Sequence, residues 1–272
     1  MAGFLRVRRS HLQTPVRHYR HLDTGRRVTH VCVMNIGEHR YYTQVRALIT
    51  DLETGGARVH CRAVQPSEEV LQTATPEEQD FLAERERGRA ARRRRCGDAG
   101  WTLLSDSLTY PDTWRIVDLD PLEDTRLFGL DAARAAERVV ISSAESGDRS
   151  PRKANQSMIA SYLAMRVMAR ASRKAFGWPM TGEHGKVDRR RAAIVLDGLD
   201  STDGDLVVMQ SCDNAFLEVE QALADRGLVF ERETWHTVGR LPSLPAAIVN
   251  LLLGTKPSKR HTRRTMLAPT AR

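Results

Sequence analysis

The sequence predicts an α/β fold: a central sheet, mostly parallel or mixed, flanked by helices, with a βαβ unit at its N-terminal end. Three observations carry this. Residues 28–64 read as strand, amphipathic helix and strand with short joints. Residues 205–225 repeat the strand-then-helix succession in the C-terminal half. And 272 residues with 41% hydrophobic and 28% charged content form a globular domain that can bury a sizeable core.

Residues 1–26 show little periodicity and are expected to be a basic lead-in, irregular or with short strands. Residues 28–34 are strand-like, because Val31 and Val33 are β-branched and the run is short. After a sharp exit at Asn35-Ile36-Gly37, apolar residues fall at Tyr41, Tyr42, Val45, Leu48, Ile49 and Leu52, the spacing of an amphipathic helix over 39–53. Gly55-Gly56 supplies its C-cap. Residues 57–64 form a second strand, stopped by Pro66. Two strands joined this way should be parallel, with a right-handed crossover.

Thr75-Pro76-Glu77-Glu78 starts a helix with an N-cap, Pro at the first position and a capping-box Glu. This helix should bury Phe81 and Leu82, then dissolve into an Arg-rich insertion at about 84–95. Residues 101–108 suggest a short strand or turn, 120–138 a helix, and 142–151 a Ser-rich loop. A Met-rich core helix is expected over 157–176 and a basic loop over 177–191. Strands are expected at 192–196 and 205–209, joined by the turn Asp200-Ser201-Thr202-Asp203-Gly204. A helix over 215–225 should face Phe216, Val219 and Leu223 inward, with Gly227 as its cap. Residues 228–238 then make an edge strand, or a hairpin with its neighbour, and 242–253 a short helix. The organisation is a single domain over 27–253 with a basic disordered tail, 254–272.

The net charge of +8 is concentrated at the ends. Residues 1–27 carry seven Arg against one Asp, and 255–272 carry six Lys or Arg and no acid. With the 84–95 run these hold the basicity, so a folded cationic groove is not indicated. Basic tails can attract nucleic acid such as tRNA; the plainer expectation is solvated termini. No apolar run approaches the roughly 20 residues that span a bilayer, and the N-terminus lacks the apolar core of a signal peptide. A cytoplasmic location without a membrane partner is expected. The four cysteines lie far apart with no C-x-x-C pair, which supports neither a disulfide framework nor a zinc knuckle. Cys32 and Cys61 read as small core residues.

Standard catalytic motifs are missing: there is no G-x-S-x-G, Walker loop, G-x-G-x-x-G or H-E-x-x-H. His30, His60 and His236 lie on predicted strands, where a histidine is more often a satisfied structural residue than a ligand. Ligands of α/β sheets sit outside the carboxyl ends of strands, which is where Asn35 stands. An amide there neither titrates near neutral pH nor binds metal strongly.

The order and spacing of several stretches resemble the TraB/Tiki superfamily (the erythromycin-esterase/ChaN-like group), in a form common among high-GC bacteria. They are Val31-Cys32-Val33-Met34-Asn35-Ile36-Gly37 with Tyr41-Tyr42, the strand around His60-Cys61-Arg62, and Asp205-Leu206-Val207-Val208-Met209-Gln210-Ser211-Cys212-Asp213-Asn214. Tyr110-Pro111-Asp112-Thr113-Trp114 and Trp235-His236-Thr237-Val238-Gly239-Arg240-Leu241-Pro242 add to the likeness. Where the family has Gly, His, Glu and a second His, this chain has Cys32, Asn35, Arg62 and Asn214. The resemblance therefore implies a pocket stripped of its metal-type groups, with no metal and no cofactor. Arg62 reverses the sign of the family carboxylate and, with two amides, suits an oxyanion.

The expected pocket comprises Asn35, Ile36, Gly37, Arg62, Asp213 and Asn214, with Tyr41 or Tyr42 near its rim. The expected function is a non-catalytic binding or scaffold protein recognising an anionic small molecule or a partner protein. One alternative is an enzyme with altered, metal-independent hydrolase or transferase chemistry, for which Glu38, His39, Asp213 and Cys212 are the candidate bases or nucleophiles. The other is a nucleic-acid-associated protein acting through its basic termini.

Overall fold

A computed structural model of the chain describes residues 5–8, 11–145, 183–211 and 214–240. Three strands open it: β1 (Arg6–Arg8), β2 (His11–His21) and β3 (Arg27–Val33), paired antiparallel in sequence. Then come β4 (Ile36–Gly37), α1 (His39–Thr54), β5 (Arg58–Cys61), α2 (Glu68–Gln72) and α3 (Pro76–Asp98). The chain continues through β6 (Thr102–Leu103), α4 (Leu104–Ser107), β7 (Arg115–Ile116), α5 (Pro121–Phe128) and α6 (Leu130–Glu145). Its last described elements are α7 (Glu183–Asp200), β8 (Leu206–Ser211), α8 (Asn214–Asp225) and β9 (Leu228–Arg240).

The fold is α/β with a mixed sheet, as the sequence predicts. β3, β8, β5 and β7 lie side by side and parallel. β2 joins this block antiparallel through β3, and β9 pairs with β2 along its whole length. The strands of the βαβ unit are parallel but not neighbours, because β8 lies between them. β8 is Leu-Val-Val-Met-Gln-Ser, buried at its first five positions. A strand apolar on both faces belongs in the middle of a parallel sheet.

Period-two alternation divides the core. Val31, Val33, Val59, Val207 and Met209 pack with Tyr41, Tyr42, Val45 and Ile49 of α1. Val28, Leu206 and Val208 pack with Val195 and Leu199 of α7 and Val219 and Leu223 of α8. Helix α1 thus covers one face of the sheet, and α7 and α8 the other.

Several elements differ from expectation. Residues 11–21, read as lead-in, form a long strand between β3 and β9. Its sequence looks solvated because Arg17 and His18 are polar, yet both are buried and bonded. The Arg-rich run is no insertion: α3 continues through it to Asp98. Arg is a good helix former, and part of the charge is paired, Arg92 with Glu137 at 2.8 Å, Arg93 with Asp106 at 2.6 Å and Arg89 with Glu86 at 3.4 Å. The predicted capping box is present, with Thr75 Oγ1 accepting from Glu78 N and Glu78 Oε2 from Thr75 N.

Residues 192–196, expected as a strand, and the end of the expected loop before them belong to α7. Ala192, Val195 and Leu199 make a helical stripe, and a five-residue apolar run cannot by itself distinguish strand from helix. The helix expected over 120–138 is two helices, broken at Gly129 where φ is +93°. The predicted helices over 157–176 and 242–253 and the C-terminal tail lie outside the described residues. Among the described residues, no helix is long and apolar enough to cross a membrane.

Candidate functional site

The chain leaves β3 toward α1 on one face and leaves β8 toward α8 on the other. Between neighbouring parallel strands, such divergence opens a crevice at their carboxyl ends, the usual ligand position in open α/β sheets. Four polar residues stand there. Asn35 follows β3, Ser211 ends β8, Arg62 directly follows β5, and Asp118 lies just beyond β7. The Asn35 turn is held by the β4–β6 ladder and by Leu104 N, which donates to the Asn35 carbonyl at 2.9 Å.

Arg62 ties three of these strand ends together. Its Nη1 donates to Asn35 Oδ1 at 2.5 Å and also to Ser211 Oγ. Its Nε is buried without a hydrogen-bond partner, and among the described residues no carboxylate forms an ion pair with it. Asp118 is engaged elsewhere, with its Oδ1 3.4 Å from Arg191 Nε and accepting from Leu119 N at 2.8 Å. Burial pushes the Asp118 carboxyl above the usual range, against the pull of Arg191 and Arg62. The Tyr110 hydroxyl is also buried and unpartnered, and burial raises its pKa.

The other expected site residues fall into different roles. Tyr41 and Tyr42 are 0% and 1% exposed, so neither lines a rim. Tyr41 Oη accepts from Met34 N and donates to the Cys32 carbonyl, both at 3.2 Å, while Tyr42 Oη donates to the Met34 carbonyl at 3.1 Å. They brace the strand exit from beneath, because an aromatic that wide cannot leave the apolar face of α1. Gly37 is buried against Tyr41 and Val238, where a Cβ would come within 3.1 Å of both. Glu38 turns away from the crevice to accept Arg240 N at 2.8 Å. His39 is exposed, 3.5 Å from Thr43 Oγ1. Asn214 opens α8; its side chain, Cys212 and Asp213 lie outside the described residues.

Ser211 and Asp118 were not singled out from the sequence. Ser211 stood inside a quoted stretch, but a serine at a strand end is an ordinary residue; nothing local marked Asp118. Also missed was a buried polar network between β2, β3, β8, β9 and α8. Arg17 pairs with Glu220 and, at 2.8 Å, with Glu233; Tyr19 Oη donates to Glu220 Oε1 at 3.0 Å. His30 stacks on Phe216 with centroids 3.8 Å apart and bonds Gln210 Oε1 through Nε2 at 2.9 Å. His30 and His60 each have their own partner, Gln210 and Thr202. Burial pushes their imidazoles down to about 3 and about 4.

Cys32 is disulfide-bonded, contrary to the expectation of a plain core thiol. Cys61 and Cys96 are free and buried, so the partner of Cys32 lies outside the described residues. Wide sequence spacing hid this. Among the described residues, no group of three His, Cys, Asp or Glu is placed to hold a metal ion. Compared with protein-family models, curated proteins and solved structures, the chain matches none.

Proposed function

We propose that the chain is a non-catalytic binding protein whose crevice takes the carboxylate or phosphate of a small molecule on Arg62. The observation that carries this is the state of that guanidinium: fixed by a neutral amide and a neutral hydroxyl, with Nε unpartnered. A guanidinium is a planar five-donor fork suited to oxyanions, and Asn35 with Ser211 orients it without neutralising it. The TraB/Tiki resemblance belongs to this proposal. It is supported by Asn35 and Arg62 meeting in a hydrogen bond at the ends of β3 and β5, across the end of β8, where the family would have histidine and glutamate.

Titration of the full chain with citrate and with inorganic phosphate, followed by NMR, tests the reading. Arg62→Gln should weaken binding at least about tenfold, the value of one charge-assisted contact, and Arg62→Lys should restore part of it. Equal affinity for Arg62→Gln and the parent chain would sink the proposal.

The enzymatic alternative gains one candidate, Asp118, since a buried carboxyl pushed upward in a crevice suits acid–base work. The nucleic-acid alternative rests on the basic termini as before; in the 84–95 run, Arg92, Arg93 and Arg89 are paired with Glu137, Asp106 and Glu86. A cytoplasmic location is part of the proposal, and the Cys32 disulfide weighs against it, since such bonds persist in oxidising compartments.

A further inference from the structure

A second concavity opens where β1, β2 and β9 meet the first turns of α1. It holds about 480 Å³ and is lined by Arg8, Gln13, Glu38, Arg40, Gln44 and Thr237, with His11 beside them. That volume is within the roughly 300–1,000 Å³ of small-molecule pockets. None of these residues belongs to the Arg62 crevice.

Its lining is dominated by hydrogen-bond donors. Arg8 and Arg40 are exposed, and among the described residues neither forms an ion pair. A directed chain of hydrogen bonds supplies a third donor. Arg6 stacks over Trp235, 4.0 Å from the ring centroid, and its Nε donates to Gln13 Oε1 at 2.8 Å. This orients the Gln13 amide so that Nε2 donates to Thr237 Oγ1 at 3.2 Å. With its oxygen accepting, the Thr237 hydroxyl has its own hydrogen left to give, and a charged donor at the head of such a chain strengthens each later link. Gln44 adds an amide. Glu38 is the single acid of the lining, and Arg240 N occupies its Oε1; its second oxygen is the acceptor the cavity offers.

We infer that this cavity binds the phosphomonoester of a small hydroxylated compound. The phosphate dianion sits between Arg8 and Arg40 and receives the Thr237 hydroxyl. A hydroxyl of the same molecule donates to Glu38, a carboxylate that would repel a second phosphate and so limits the ligand to one. Arginine is the residue best fitted to phosphate oxygens, and the strand-held Thr237 and Gln13 make the site rigid.

The test uses the full chain and three probes, glycerol 3-phosphate, inorganic phosphate and glycerol, followed by calorimetry at low and high salt. Glycerol 3-phosphate should bind more tightly than inorganic phosphate, with glycerol undetected and affinity falling as salt rises. Arg8→Gln and Arg40→Gln should each weaken it about tenfold or more, and Thr237→Val about fivefold. Both Arg side chains are exposed, so the Gln variants keep the fold, which circular dichroism verifies. All of these titrations are made in an Arg62→Gln background, in which the crevice proposed above is disabled, so that the two sites are read separately. Undetectable binding in that background, or affinity surviving when Arg8→Gln and Arg40→Gln are both added to it, would each overturn the inference. Equal affinity for phosphate and glycerol 3-phosphate would overturn the hydroxylated-compound assignment.

Discussion

Arg17 on β2 and Glu220 on α8 form an ion pair whose side chains are only 4% and 6% exposed. Removing one member of such a pair strands a charge in the interior, whereas replacing both with apolar residues often costs little. Glu220→Ala should therefore destabilise the chain by about 3 kcal/mol or more, even though Glu233 stays 2.8 Å from Arg17. The double change Arg17→Met with Glu220→Leu should cost less than Glu220→Ala alone. Urea unfolding measures both; a Glu220→Ala cost below about 1 kcal/mol would mean that the pair is not desolvated.

Gly88 of α3 lies directly against Glu137 of α6. A Cβ there would lie 1.6 Å from Glu137 Oε1, the atom that receives Arg92 at 2.8 Å. Gly88→Ala must push Glu137 off Arg92, so despite the better helix propensity of Ala it should lose about 1–3 kcal/mol. Because both act through one contact, adding Gly88→Ala to Glu137→Ala should cost almost nothing further. Thermal unfolding of the four-member cycle checks this, and strict additivity would refute it.

Acid should unfold the protein through its buried imidazoles. His30 and His60 are held neutral, with pKa values pushed down to about 3 and about 4 by burial. The unfolded chain takes up these protons near pH 6.5. Their contribution is therefore fully present above about 6.5 and is lost as pH falls toward those lower values. For His30 the slope is about 1.4 kcal/mol per pH unit. Stability measured at pH 7, 6 and 5 should fall progressively, and His30→Gln should flatten the decline by close to one proton. An unchanged slope in that variant would rule out His30 as a source.

Thiol counting tests the covalent structure. The denatured, unreduced chain should expose two reactive thiols, those of Cys61 and Cys96, and all four after reduction. Four thiols before reduction would exclude the Cys32 bond.

Three of the parallel strands, β3, β5 and β8, were legible because short β-branched runs report burial directly, as in Val31, Val33, Val207 and Val208; the two-residue β7 was not. Helix α1 was legible because its apolar spacing is regular. β2 was not: Arg17 and His18 disguise a central strand, and Glu220, Glu233 and Thr29, distant in sequence or across a hairpin, make their burial tolerable. The meeting of Asn35 and Arg62 was within reach, since both follow strands of one βαβ unit. Ser211 and Asp118 were not, because their places depend on β8 and β7 slotting beside β5, an order that no local pattern encodes. Tyr41 was misplaced because an aromatic just after a strand end looks like a rim residue until the helix phase is known.

The position of β8 between β3 and β5 also dictates an order of events during synthesis. β5 ends at Cys61, and β8 begins at Leu206. At about 5–20 residues per second, roughly 7–30 s separate the ribosomal exit of the flanking strands from that of the strand that joins them. Through that interval β3 and β5 each keep an unpaired edge, the kind of surface that recruits chaperones or aggregates. The sheet closes only when contacts such as His30 to Gln210, 180 residues apart, can form, and pairing across so long a separation is intrinsically slow.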